Sequence, residues 1–190
     1  LSPGTYYLEE TKAPAGYTLN QERKKFTITN TTTNLTITLE NTKNKLQIGK
    51  IDGTTNEYVA GAKLKLTDSN NKTIAEFTSG NELYTIEKLP SGTYYLEELE
   101  APSNYIRNNK KVPITIKDTD SIVTYNMANN KVKVQVNKID ADTNRLLPGI
   151  IFELLDSNKE ELLTFTTENI PTTFVSLAEG TYYLKEIKTI

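Results

Sequence analysis

Between residues 45 and 131, short stretches rich in Val, Ile, Thr and Tyr alternate apolar with polar side chains, separated by turn clusters such as "DSNNK", "TSGN" and "LPSG". A period of two marks a strand with one face against a core. Seven strands are predicted, at roughly 45–52, 61–68, 73–78, 82–89, 92–99, 111–117 and 122–129. No window carries the apolar spacing of a helix of ordinary length, so the chain reads as all-β, two sheets closed into a sandwich. Pro113 has no N–H for a ladder, which places its strand at a sheet edge or at a bulge.

The pattern repeats. "GTYYLEETKAPAGY" at residues 4–17 returns as "GTYYLEELEAPSNY" at 92 and as "GTYYLKEI" at 180, each 88 residues later. In the same register "KIDGTTNEYVAG" at 50–61 answers "KIDADTNRLLPG" at 138–149. A period this long describes an array of domains rather than a solenoid. Residues 45–131 then form one complete module, residues 1–44 the C-terminal half of a preceding one, and residues 132–190 the N-terminal part of a following one. Because Leu1 falls inside a repeat, the chain reads as a piece of something longer. Only Asn130 and Lys131 stand between Asn129 and the next apolar strand residue, Val132, with no Gly or Ser run, so successive modules are expected to be joined stiffly.

Alternation also shows which polar residues point inward. In "YYLEE", Tyr94 and Leu96 share parity with Glu98. In "LQIGK", Leu46 and Ile48 share it with Lys50, as Val134 and Val136 do with Lys138. In "VTYNMAN", Val123, Tyr125 and Met127 share it with Asn129, as Leu35, Ile37 and Leu39 do with Asn41. Taken singly, each polar residue reads as a strand end at the rim of the sandwich, where Lys snorkels and Glu or Asn meets water. Taken together, an amine, an acid and an amide aimed into one core must satisfy one another, because an unpaired buried charge costs several kcal/mol.

That trio points to a reaction. Burial beside a carboxyl group lowers an amine's pKa and raises the acid's, which opens the neutral pair. A neutral amine is a nucleophile, and a protonated Glu98 facing the Asn129 carboxamide oxygen would polarise it and then shuttle protons so that ammonia leaves. The product is an isopeptide bond between Lys50 and Asn129, accelerated by proximity in a core that excludes water.

Composition removes most rival chemistry. The chain has no Cys and no His, which excludes disulfides, thiol nucleophiles, Ser-His-Asp triads and nearly every zinc site. Net charge is −2 and the Lys and Arg residues are scattered, so no basic patch predicts nucleic acid or anionic lipid. There is no transmembrane run. "DADTN" at 140–144 opens like a calcium loop, but Arg145 and Ile151 stand where that loop needs Gly and Glu, so a solvated turn is expected. The sequons at Asn30, Asn34 and Asn71 suit a Thr-rich strand chain and carry no functional weight.

The module resembles the Cna B-type domains of Gram-positive surface adhesins and sortase-assembled pilins. In that family a first-strand lysine, a last-strand asparagine and a glutamate in a "YxLxETxAPxGY" box form a spontaneous isopeptide bond. The box reads "YYLEETKAPAGY" at 6–17 and "YYLEELEAPSNY" at 94–105, where Leu99 and Asn104 depart from the pattern and Glu98 stays in place. The lysine motif "KxD" stands at Lys50–Asp52 and Lys138–Asp140. The resemblance implies tandem seven-stranded, prealbumin-like sandwiches, with Lys50 and Asn129 as the crosslinked pair and Glu98 as proton shuttle. Glu10 and Asn41 hold the equivalent positions in the first segment, and Lys138 and Glu186 in the third.

It also implies a structural stalk repeat of a cell-wall-anchored adhesin or pilin, extracellular, needing no cofactor and no metal. The crosslinking is a single autocatalytic turnover rather than an enzyme activity. Its partners would be neighbouring modules, with any host matrix or glycan ligand held by other domains. The rival reading is a binding module that uses the outward tyrosines Tyr7, Tyr95 and Tyr183, for which cross-strand packing is the plainer account. Neither end segment holds all three residues. If the halves dock between molecules, Lys138 of one chain would meet Asn41 of the next, a heterologous contact that propagates.

Overall fold

The computed structural model describes residues 1–175, 177 and 180–188. Among them there is no helix, and the chain divides into two compact units, Leu1–Pro102 with Arg107–Asn129, and Ser103–Ile106 with Asn130–Ile190.

In the first unit the strands are β1 (Gly4–Leu8), β2 (Lys24–Ile28), β3 (Lys45–Asp52), β4 (Lys63–Thr67), β5 (Thr73–Thr78), β6 (Tyr84–Glu87), β7 (Gly92–Glu100), β8 (Val112–Ile116) and β9 (Ile122–Asn129). The last seven make two sheets, three-stranded in the order β6-β3-β9 and four-stranded in the order β5-β4-β7-β8. Their inward faces bury Leu46, Ile48, Leu64, Leu66, Leu96, Ile116 and Met127 in one cluster. Burial of each such side chain contributes on the order of 1.5–3 kcal/mol. β8 lies at a sheet edge, where Pro113 breaks no ladder between central strands.

Most pairs are antiparallel, but β3 and β9 run parallel in continuous register, Lys45 opposite Ile122 through Asp52 opposite Asn129. First and last strands of the sandwich are therefore neighbours. The two tyrosines of the repeated box divide their work by parity. Tyr94 is buried, and its hydroxyl donates to the Pro90 carbonyl at 2.7 Å, as Tyr6 donates to Ser2 at 2.8 Å in the earlier copy. Tyr95 faces outward opposite Pro113, with the Lys111 ammonium 5.6 Å from its ring centroid.

β1 and β2 form an antiparallel pair of their own. Contrary to the alternation of Leu35, Ile37 and Leu39, the segment ending at Asn41 is not a strand, and Leu35 is 47% exposed. Alternation supplies a face, but a strand also needs an edge to pair with.

The second unit holds β10 (Lys133–Val136), β11 (Ile151–Leu155), β12 (Glu161–Thr166), β13 (Thr172–Val175) and β14 (Tyr183–Lys188). β10 pairs with β13, and β12-β11-β14 form a three-stranded sheet. Phe152 and Leu154 are buried there, whereas Val134 is 39% exposed.

Candidate functional site

Three elements converge at one end of the β3–β9 core. Lys50 follows Leu46 and Ile48 on the inward face of β3, and Asn129 follows Met127 on the inward face of β9. Glu98 follows Tyr94 and Leu96 on β7, in the facing sheet. The side chains of Lys50 and Glu98 are wholly buried, and Asn129 is 3% exposed.

Glu98 touches both of the others. Its carboxylate accepts from Asn129 Nδ2 at 2.8 and 2.9 Å, and its Oε1 lies 3.8 Å from Lys50 Nζ. Lys50 Nζ also donates to the Met127 carbonyl at 3.1 Å, its cross-strand partner, which aims the amine at β9. Asn129 Oδ1 is buried without a hydrogen-bond donor among the described residues. The amide nitrogen of Asn129, rather than the expected carboxamide oxygen, faces the acid. An ionised carboxylate accepts only, so the amide presents its N–H₂.

Desolvation holds the Lys50 amine below the usual lysine range, opposed by the charge of Glu98 and then of Asp52. An unfolded chain returns Lys50 to about 10.5, so in a protein that keeps this amine free the unfolded state binds more protons as pH falls below that value. Stability of an unlinked fold therefore rises as pH climbs through the interval below 10.5. We expect the urea midpoint of Asn129→Ala to increase from neutral pH toward about pH 9.5, with the rise removed by the further change Lys50→Met.

Two contributors escaped the sequence reading. The backbone N–H of Asn108, in the loop after β7, donates to Glu98 Oε2 at 2.6 Å and fixes the acid's rotamer. Asp52 is buried, and its carboxylate accepts from the N–H groups of Thr54 and Thr55 at 2.7 and 3.2 Å. The turn so formed brings the Gly53 N–H to the Asn129 carbonyl at 2.8 Å. The signal for the second was the "KxD" spacing, since Asp readily closes a turn on the N–H two residues on. Asp140 repeats it, accepting from Asp142, Thr143 and the Thr143 hydroxyl, and those hydrogen bonds hold its carboxyl below the usual range.

The end segments hold complementary parts of the trio. In the first, Asn41 Nδ2 donates to Glu10 Oε2 at 2.7 Å, and the Asn20 N–H donates to the same oxygen as Asn108 does to Glu98. In the third, Lys138 Nζ lies 2.9 Å from Glu186 Oε2, at half-exposed positions. The outward tyrosines are not bare faces. Arg23 lies 4.6 Å from the Tyr7 ring centroid and Lys159 5.9 Å from that of Tyr183, as Lys111 covers Tyr95.

The profile of the SpaA family, a prealbumin-like fold domain, matches residues 1–43, 44–131 and 132–190. A collagen adhesin of Staphylococcus aureus is 32% identical over 136 residues, covering 64% of this chain and 12% of that protein. This chain therefore spans only a small part of that relative's length. Among solved structures, the Bacillus anthracis TIE protein aligns over the whole chain and 37% of its own, with a TM-score of 0.54 and 26% identity. A streptococcal ancillary pilin aligns over 99% of this chain and 67% of its own, with a TM-score of 0.43 and 20% identity.

Proposed function

We propose that this chain, which belongs to the SpaA family of prealbumin-like fold domains, is a stalk segment of a Gram-positive surface adhesin or pilin, stiffened by an isopeptide bond that it makes itself. The observation that carries this reading is the sealed contact of Glu98 with both Lys50 and Asn129. The neutral Lys50 amine attacks Asn129 Cγ, forming the new C–N bond. Glu98 gives its proton to the amide and takes one from the attacking nitrogen. The Cγ–Nδ2 bond then breaks and ammonia leaves, so the product lacks one ammonia and no other reactant is consumed. Each molecule turns over once, which distinguishes the reaction from enzyme catalysis.

In this reading the protein is extracellular, at the cell surface and cell wall, its immediate partners are neighbouring modules, and a host ligand would be held elsewhere in the protein. The tyrosine-binding alternative is the weaker one, because a ligand stacking on Tyr7 or Tyr95 competes with the cation already over the ring. Intact mass of the folded chain tests the proposal. The expected value is one ammonia below that of the sequence, with a branched peptide joining Lys50 to Asn129 after digestion. Folded protein at the full sequence mass overturns it.

A further inference from the structure

The glutamate of the first box is only its front half. The back half, "APAGY" at 13–17, leads away from Glu10 to the start of the β3–β9 sandwich. Gly16 is held at φ 83°, and a Cβ there would stand 2.6 Å from the Lys88 carbonyl oxygen, so backbone meets backbone at this point. Asn44, 2% exposed, occupies the crossing. Its N–H donates to the Gly16 carbonyl at 3.1 Å, its carbonyl accepts from the Lys88 N–H at 3.1 Å, and its Nδ2 donates to the Leu89 carbonyl. Lys88 sits at φ 60° without being glycine, a conformation that surrounding contacts must hold. Its ammonium lies 5.2 Å from the Tyr17 ring centroid.

A second anchor lies on a different loop. The Leu19 N–H donates to the Asp118 carbonyl at 2.7 Å, and the Thr18 hydroxyl to the Asp120 carbonyl at 3.2 Å, both in the turn between β8 and β9. One hydrogen-bonded point is a pivot, whereas two on separate loops fix an angle. The tail's own folding recurs at the next box. Asn104 takes φ 70°, Tyr105 bridges to Lys131 as Tyr17 does to Lys43, and the Ile106 N–H donates to Asn130 as Thr18 does to Thr42.

We infer that residues Gly16 to Leu19 are a docking latch, seated through the linking residue Asn44 on the Lys88–Leu89 and Asp118–Asp120 surface of the sandwich that follows in the same chain. The box then serves two purposes, presenting the acid within its own sandwich and setting the angle to the next. The latch uses neither Lys50 nor Asn129, so it stands or falls separately from the crosslink.

Hydrogen exchange on the full 190-residue chain, with intact mass read on the same samples, tests this. The wild type should protect the Leu19, Asn44 and Lys88 amides. Gly16→Ala should speed their exchange on the order of tenfold or more, leaving the amides of β3 and β9 and the ammonia deficit relative to its own sequence unchanged. Lys88→Gly, which relieves the left-handed strain and keeps every backbone bond, should retain the protection. If Gly16→Ala also unfolds β1 and β2, Asn44→Ala decides, and it must loosen Lys88 and Leu19 together. Free-chain exchange at these amides in the wild type, unchanged protection in Gly16→Ala, or Leu19 staying protected in Asn44→Ala overturns the latch. A full sequence mass with the protection pattern intact would instead count only against the crosslink.

Discussion

Asn129→Ala should convert the β3–β9 sandwich from a link that does not lengthen under tension into one that does. In a stalk under tension, force would enter at Lys45 and leave at Asn129, opposite ends of two strands that are parallel and in register. With Lys50 bonded to Asn129, the load path runs from Lys45 to Lys50 and out through Asn129, and the intervening chain carries none of it. Without the bond the same load shears the ladder, and unfolding frees roughly 80 residues, an extension of about 270 Å at full stretch. Single-molecule pulling should therefore show that step in the variant and not in the wild type. Treated as a chain-entropy constraint, the lost crosslink also removes about 4.5 kcal/mol, or on the order of 20–35 °C in Tm for a domain this size. A wild-type sandwich that extends by the full step refutes the load-bearing bond.

Glu98→Gln should leave the fold standing and the bond unmade. The amide side chain keeps an oxygen for the Asn108 N–H, which donates to Glu98 at 2.6 Å, but has no acidic proton to give up and take back. Positioned acid–base groups contribute about 10²–10⁴ in rate, so a reaction complete in the wild type would be barely begun in the variant. Glu98→Ala is the less informative change. It strips acceptors from Asn108 and Asn129 and leaves Lys50 with the Met127 carbonyl and the charge of Asp52, and breaking a buried pair this way costs about 3–5 kcal/mol. If Glu98→Gln loses ammonia at the wild-type rate, the shuttle role is wrong.

Alternation made the inward faces of β3, β7 and β9 legible, because each strand buries a run of apolar residues whose parity carries through to Lys50, Glu98 or Asn129. The 88-residue period aligned those strands between copies. What remained hidden was pairing. That β3 lies parallel to β9, with Asp52 rather than Lys50 opposite Asn129, depends on contacts between strands far apart in the chain, and local periodicity holds no information about them. The same gap explains the segment ending at Asn41, which has strand-like alternation and no ladder. Asn108 was invisible because it acts through its backbone N–H, which every residue but proline carries.

The complete burial of Lys50 also sets a schedule. In an extended chain its amine sits in water, protonated and unreactive, and Asn129 is roughly 80 residues away. Such a polypeptide is free to thread through a narrow channel or to abandon a wrong arrangement and start again. Only when β9 zips onto β3 and Glu98 closes over both do the amine lose its hydration and the amide come within reach. In the proposed crosslinking, departure of ammonia would then make the step one-way. On that proposal burial would act as a checkpoint, committing the molecule after assembly and not before.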